Sequence, residues 1–381
     1  ALSLVLLAGA GLLLKSFQRV LAIDPGFRAD HVLVARLQPP YPRYGSDTVV
    51  RSFYDRVLER TSAIPGVRAV GLTQRVPLAR GNPQENVVAE GHEPRPGEPV
   101  VVSNLRFVTP GYFAAMGTPV LEGRGFTASD GPSAPHVAVV DETFAKRYWS
   151  HAASAIGKRI AHQGDTSATR WWTIVGVVRN VRHTALEETP SLQVYEPHAQ
   201  RTVWTMYLVI RAAIEPRALV SAVRAQVAAV DPEIPLFEVH TMDEAVSRSL
   251  ATRRLTNVLL GAFAGAAFVL AAIGIYGVIS IGVAGRTREF GVRLALGARP
   301  AELLQLVLRQ GAWLAALGIA VGLAGATWVV RFLRSLLFGV SAFDIPTFLV
   351  ATGVLAAVAI GASLIPARRA TRVAPAVVLR E

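Results

Sequence analysis

Three stretches without a single charged side chain, at positions 255–285, 310–330 and 345–367, set the first limit on what this chain can fold into. The hydrocarbon core of a bilayer is about 30 Å thick and takes roughly 20 apolar helical residues. The second and third stretches have that length. The first would reach on the order of 46 Å as a helix, more than a membrane needs, and its excess reads as the start of a stalk. Burying two arginines at mid-bilayer costs about 5–7 kcal/mol, against about 0.3–0.6 kcal/mol gained per large apolar residue. The flanking charges therefore decide where each run stops, and the predicted spans are about 255–285, 310–331 and 345–367. Ala1 to Leu14 is also apolar, but reaches only about 21 Å as a helix. It has neither the basic leader nor the small-residue cleavage site of a signal peptide. It reads as the outer part of a further transmembrane helix whose beginning precedes this chain.

A mean hydropathy of +0.38 with 51% hydrophobic residues is too apolar for an ordinary soluble protein, yet 23 prolines and 32 glycines demand many turns. The average thus covers two kinds of segment. The net charge of +12 raises the possibility of nucleic acid. However, a nucleic-acid binder gathers its basic residues on a soluble face, and here many of them flank apolar runs. Membrane lipid is the expected partner, not nucleic acid. Without any cysteine there is no thiol nucleophile, iron–sulfur cluster, Cys-ligated zinc or disulfide framework. The eight histidines are dispersed and form no HExxH. Gly157-Lys158-Arg159 lacks the other residues of a phosphate-binding loop, and no GxSxG occurs. No catalytic residue, metal or cofactor is predicted. Trp149, Trp171, Trp172 and Trp204 read as core or interface aromatics rather than a ligand cage.

Orientation follows from the short loops. The segment 286–309 carries Arg286, Arg288, Arg293, Arg299 and Arg309, and the C-terminal tail carries Arg368, Arg369, Arg372 and Arg380. The opposite loop has only Arg331 and Arg334. Positive-inside bias places the first two groups in the cytoplasm and residues from about Lys15 to Arg253 outside.

That outer segment changes pattern at Pro25. His31–Gln38 alternates as a strand, Asp47–Ala63 places Val50, Phe53, Tyr54, Val57 and Leu58 on one helical face, and Val67–Thr73 reads as a strand. The same order recurs near the far end, with a strand at Met206–Arg211, a helix at Pro216–Val230 and a strand at Ile234–Val239. Two βαβ-like units so far apart predict one α+β layer built from both ends. Between them, about 108–198, lies an inserted lobe with strands at His136–Val140 and Trp172–Val178 and a helix at Asp141–Trp149. Asp243–Arg254 runs into the long span without Pro or Gly, so one helix is predicted to continue from the domain toward the bilayer, with Lys15–Ala22 as a second stalk helix.

Several phrases resemble the MacB/FtsX superfamily of ABC-transporter permeases. Asp24-Pro25-Gly26-Phe27, Thr109-Pro110-Gly111-Tyr112-Phe113, Met116-Gly117 and Glu122-Gly123-Arg124-Gly125-Phe126 follow the MacB-like periplasmic core domain. Val137–Ala145 and Ile174–Val178 match further blocks of it. The run from Arg288 to Ala298 resembles the signature that opens the FtsX-type domain, with Phe290 where relatives commonly have Ile. The start Leu6–Phe17 looks like the midpoint of duplicated acidobacterial-type orphan permeases, which would make this chain a second copy.

The resemblance implies a bacterial inner-membrane protein: a helical bundle with a partial first helix plus three spans, carrying a large α+β periplasmic domain. Its parts would be a truncated helix and stalk at 1–24, the core domain at 25–242 and an FtsX-like permease domain at 243–381. Loop 286–309 would be the cytoplasmic coupling element. It would touch a separate ABC ATPase through Arg288, Glu289, Gly291, Arg293, Leu296, Gly297 and Ala298, and the chain would pair with a second permease copy.

The residues suit that task on their own chemistry. Glu289 and Arg293 are spaced to pair on a helix, with Arg286 three residues before Glu289. Gly297 suits a helix C-cap, and Pro300 with Glu302 suits the first turn of the next helix. By residue type alone, the same arginines suit phospholipid headgroups equally well. The expected function is transmission of ATPase-driven motion to the outer domain for efflux or extraction of an unknown substrate, with no enzymatic activity in this chain. The alternatives are a non-transporting regulator or sensor of an envelope process, and an orphan permease uncoupled from ATPase.

Overall fold

Two βαβ units from opposite ends of residues 23–250 interleave into a single sheet in the computed structural model of the chain. The structure describes residues 1–79, 81–92, 101–149, 151–163, 171–296, 298–333, 338–341 and 343–370. It divides into two units, residues 23–250 and residues 1–22 with 251 onward.

In the larger unit, β1 (Val32–Leu37), α2 (Asp47–Ser62) and β2 (Val67–Thr73) form the first βαβ, after α1 (Leu2–Leu21). The second consists of β10 (Met206–Ala212), a 3-10 turn at Pro216–Leu219, α5 (Val220–Val230) and β11 (Phe237–Thr241). The strand order β11-β1-β10-β2 is antiparallel throughout, the ferredoxin-like arrangement. Leu33, Leu37, Leu72, Leu208 and Ile210 cover one face against Phe53, Tyr54 and Val57 of α2 and Val223 and Val227 of α5. Each of those helices turns an apolar stripe inward at i, i+3, i+4 spacing. The last strand begins at Phe237 rather than Ile234. Pro232 and Pro235 lack the N–H a ladder requires, so Ile234 stays in a turn and packs as core.

Between β2 and β10 the chain builds a closed ring of six strands: β3 (Gln84–Ala89), β4 (Val102–Val108), β6 (Val137–Asp141), β7 (Arg159–His162), β8 (Trp172–Val178) and β9 (Gln193–Pro197). Pairing runs β4-β3-β7-β8-β6-β9 and returns from β9 to β4, while β5 (Val120–Gly123) adds to β8. Each ring strand sends a buried residue to one cluster: Val87, Leu105, Ala138, Ile160, Trp172 and Val194. Phe144 of α4 (Glu142–Tyr148) joins them, so this face is the inside. Trp149 and Trp172 are core aromatics.

Two of the glycine-bearing phrases of this domain are backbone devices. A Cβ on Gly111 would lie 2.0 Å from Val70 O, because the N-terminus of α3 (Tyr112–Met116) rests directly on β2. Thr109 locks that contact: its Oγ1 accepts from Leu72 N at 2.8 Å, and its own N–H donates to Leu72 O at 3.0 Å. Gly26 has φ +80°, and a Cβ there would meet Asn180 O at 1.8 Å. No other residue fits either position.

In the other unit, α1 packs on α8 (Pro300–Leu333) and α9 (Ile345–Ala370) through Leu4, Ala8, Ala326 and Ala351. Small residues allow the close approach: a Cβ on Gly322 would lie 2.9 Å from the Leu4 side chain. Lys15 Nζ donates to both oxygens of Asp344, at 2.6 and 2.8 Å. The long span is one 44-residue helix, α6 (Met242–Gly285). Helices at Leu2–Leu21, Met242–Gly285, Ala301–Arg331 and Ile345–Arg368 are long and apolar enough to cross a membrane. Arg334, Arg372 and Arg380 lie outside the described residues.

One end of the ring interior is ionic. His162 Nε2 lies 2.6 Å from Glu196 Oε1, on a carboxyl group with no exposed surface, and Arg201 Nη2 donates to Glu85 Oε1 at 2.6 Å. His162 Nδ1 is 2.7 Å from Glu85 Oε2, close enough for an ion pair though not aligned as a hydrogen bond. Burial pushes the imidazole down, but the two carboxyl groups outweigh it and lift His162 to about 9. A group raised above its unfolded value near 6.5 stabilises fully below that pH and loses its contribution as pH rises through 9. The shift corresponds to about 3 kcal/mol. The thermal midpoint of the large unit, followed by calorimetry on the full chain, is expected to fall between pH 7 and 10, and His162→Gln to flatten that slope. Equal slopes would show the cluster to be energetically silent.

Candidate coupling corner

After α6 the chain turns at Arg286 and enters α7 (Thr287–Ala295), a nine-residue helix. Phe290 Cα sits one turn in, and its ring is 1% exposed among Ile279 of α6, Leu303 and Val307 of α8 and Ala367 of α9. A single side chain thus ties the ends of three membrane helices to α7. Burying a phenylalanine side chain is worth about 1.5–3 kcal/mol by surface bookkeeping. The Arg286 guanidinium lies 5.9 Å from the centroid of that ring.

The expected ion pairs form. Arg286 Nε and Nη2 donate to Glu289 at 2.7 and 3.0 Å, and Arg293 Nη2 approaches Glu289 Oε1 at 2.6 Å. The Arg286 hydrogen bonds hold the Glu289 carboxyl below its ordinary value, with the charges of Arg286 and Arg293 adding to the effect. Exposed pairs of this kind contribute little to stability; their result is to fix three side chains in one arrangement. The corner after α7 is tight. Ala298 N–H donates to Arg293 O at 3.0 Å, and Glu302 Oε2 accepts from Arg299 N–H at 3.3 Å at the start of α8. Gly297 lies outside the described residues, and Gly291 is within α7.

What remains outward is a ridge. Arg288, Val292 and Leu296 are spaced by four, and Leu296 N–H still donates to Val292 O at 3.0 Å, so the three share one face. Val292 is 41% and Leu296 82% exposed, and Arg288 is exposed with no carboxylate partner among the described residues. Two apolar side chains and a guanidinium with no carboxylate partner among the described residues thus lie outward on a braced helix. Val292 is not among the residues the sequence singled out; its spacing of four from both Arg288 and Leu296 is the signal that joins it to them. Among the described residues no group of three or more His, Asp or Glu could hold a metal.

Residues 2–230 match the family model described as MacB-like periplasmic core domain, and residues 261–375 match FtsX-like permease C-terminal. A macrolide export ATP-binding/permease protein MacB of Syntrophobacter fumaroxidans is 33% identical over 144 residues, 38% of this chain and 20% of that protein. Another MacB, of Hahella chejuensis, is 24% identical over 288 residues, 71% of this chain and 42% of its own length. A pyoverdine export ATP-binding/permease protein PvdT of Pseudomonas savastanoi pv. phaseolicola is 24% identical over 276 residues, 70% and 41% respectively. The chain therefore spans less than half the length of these curated relatives. The crystal structure of the periplasmic region of MacB from Actinobacillus actinomycetemcomitans aligns at 14% identity and a TM-score of 0.39, covering 61% of this chain and 98% of that one.

If Phe290 is what anchors α7, Phe290→Ala should cost about 3–5 kcal/mol locally. Hydrogen exchange across residues 286–296 should then accelerate by at least a hundredfold, while Val292→Ser leaves it unchanged. Equal protection in both variants would remove the anchor.

Proposed function

Because this chain belongs to the MacB/FtsX superfamily of permeases, we propose that it serves export by passing the motion of an ATPase to the large α+β domain. The ATP hydrolysis belongs to an ATP-binding unit outside these 381 residues, which carry no phosphate-binding loop; the curated relatives are named as ATP-binding/permease proteins. The chain sits in the bacterial inner membrane with its arginine-rich corner in the cytoplasm, by the positive-inside rule, and its large domain in the periplasm. It works with a second permease copy, either on its own full-length polypeptide or as a separate subunit.

The observation that carries this reading is the outward ridge of α7. Arg288, Val292 and Leu296 are presented on a helix whose opposite side is anchored by Phe290 among three membrane helices. A push on such a helix reaches the spans directly, because packed side chains transmit displacement with little compression.

The test is capture of the full-length protein from its own cells in mild detergent, with ATPase subunits identified by mass spectrometry. Wild type should retain an ABC ATPase. Arg288→Glu and Arg293→Glu should reduce the retained amount by at least tenfold while leaving the thermal midpoint within a few degrees. An ATPase retained equally by all three would end the assignment of the corner. Absence of any ATPase would favour a sensor or an uncoupled permease.

A further inference from the structure

A groove lies where the six-stranded ring joins the ferredoxin-like layer. Two adjoining cavities of about 370 and 390 Å³ share Gln38, Trp204 and Thr205 as walls. Ligand pockets commonly measure roughly 300–1,000 Å³ and combine apolar walls with a few convergent polar groups, and both requirements are met here. The apolar walls are aromatic. Tyr41 and Trp204 have ring centroids 5.5 Å apart, with Tyr41 67% exposed, and Phe237 at the start of β11 is 41% exposed. Trp204 is held in place by its Nε1–H, which donates to Tyr44 O at 2.8 Å.

The polar groups are incompletely used. Arg36 Nε and Gln74 Oε1 are both buried and without a hydrogen-bond partner, and both residues line the first cavity. A buried donor or acceptor left without a partner is destabilising, and both of these belong to residues that line one cavity. Arg75 lines the same cavity, and no carboxylate among the described residues pairs with it. Glu238 pairs with Arg36 beside this cavity. It is already committed, with Oε1 2.9 Å from Arg36 Nη1 and Oε2 accepting from Tyr207 at 3.1 Å. It also holds φ +46°, an uncommon value for a residue with a side chain. Strain of this kind persists where surrounding structure enforces it and clusters at ligand sites.

From this juxtaposition we infer that the groove binds a flat aromatic carboxylate that also carries an N–H or O–H donor. The ring system lies against Trp204 and Phe237 and the carboxylate accepts from Arg75, while a turn of the Arg36 and Gln74 side chains in the cavity wall brings Nε to the carboxylate and Oε1 to the donor. A guanidinium suits a carboxylate through paired N–H donors, and an aromatic wall gives area at little entropic cost. The inference rests on the export reading only in naming a class of cargo. Its test involves no ATPase, so the failure of either leaves the other distinguishable.

The probe is 6-hydroxy-2-naphthoate, whose own fluorescence anisotropy is followed on titration with the full chain in phosphatidylcholine nanodiscs, empty discs being subtracted. Wild type should give a saturable rise. Neutral 2-naphthol should bind at least tenfold more weakly, and Arg75→Ala should weaken the naphthoate at least tenfold. Trp204→Ala should do likewise, but Trp204 also braces Tyr44, so Arg75→Ala, which removes a side chain from the cavity wall and not from a core cluster, decides the matter. No saturable rise in wild type would overturn the inference. So would binding unaffected by Arg75→Ala, or equal affinity for the naphthol.

Discussion

Hydrocarbon excludes guanidinium and carboxylate groups, and the architecture of the smaller unit follows from where the chain places them. Arg254, Arg286, Arg309 and Arg331 cannot enter the bilayer cheaply, so the helices turn or change environment near them. At the edge of the bundle Lys15 meets Asp344, which also accepts from Thr347. Once those limits are set, the connection between α6 and α8 has only a few residues in which to reverse. A short helix braced by Glu289 and anchored by Phe290 fills it. The exposed ridge on α7 is thus a by-product of solving a turning problem, and it is available for contact because the anchoring is done from the other side.

Much of this was legible from residue order. The uncharged runs marked the membrane helices. Period-two and period-3.6 patterns located β1, α2, β2, β10 and α5, because each buries one face against a single neighbouring layer. The i, i+4 pair of Glu289 and Arg293 needs only helical spacing to be foreseen. What stayed hidden depends on contacts between distant segments. The ring closes through the parallel pairing of β4 with β9, residues nearly ninety apart, and nothing local in Leu105 or Val194 announces it. Phe290 reads as one more apolar residue until Ile279, Leu303 and Ala367 are brought around it. The aromatic groove likewise draws on four separate segments, and its two orphaned polar atoms are a property of three-dimensional placement alone.

The glycine- and proline-bearing phrases that carry the family resemblance have a structural explanation distinct from function. Gly26 and Gly111 stand where a second backbone comes closer than any side chain permits, and Thr109 stitches α3 to β2. These positions report how the domain is assembled. The binding and coupling roles proposed above fall on other residues, among them Arg75, Trp204, Arg288 and Leu296.

The ring departs from the layer after Thr73 and comes back at Met206, and Thr73 is directly opposite Tyr207 in the sheet register. Its two ends thus emerge side by side from adjacent strands, as the ends of an ordinary hairpin loop do. A change of length within the ring can therefore leave the register of the carrying sheet untouched, so long as α3 keeps its seat on β2 and Asn180 its seat on Gly26.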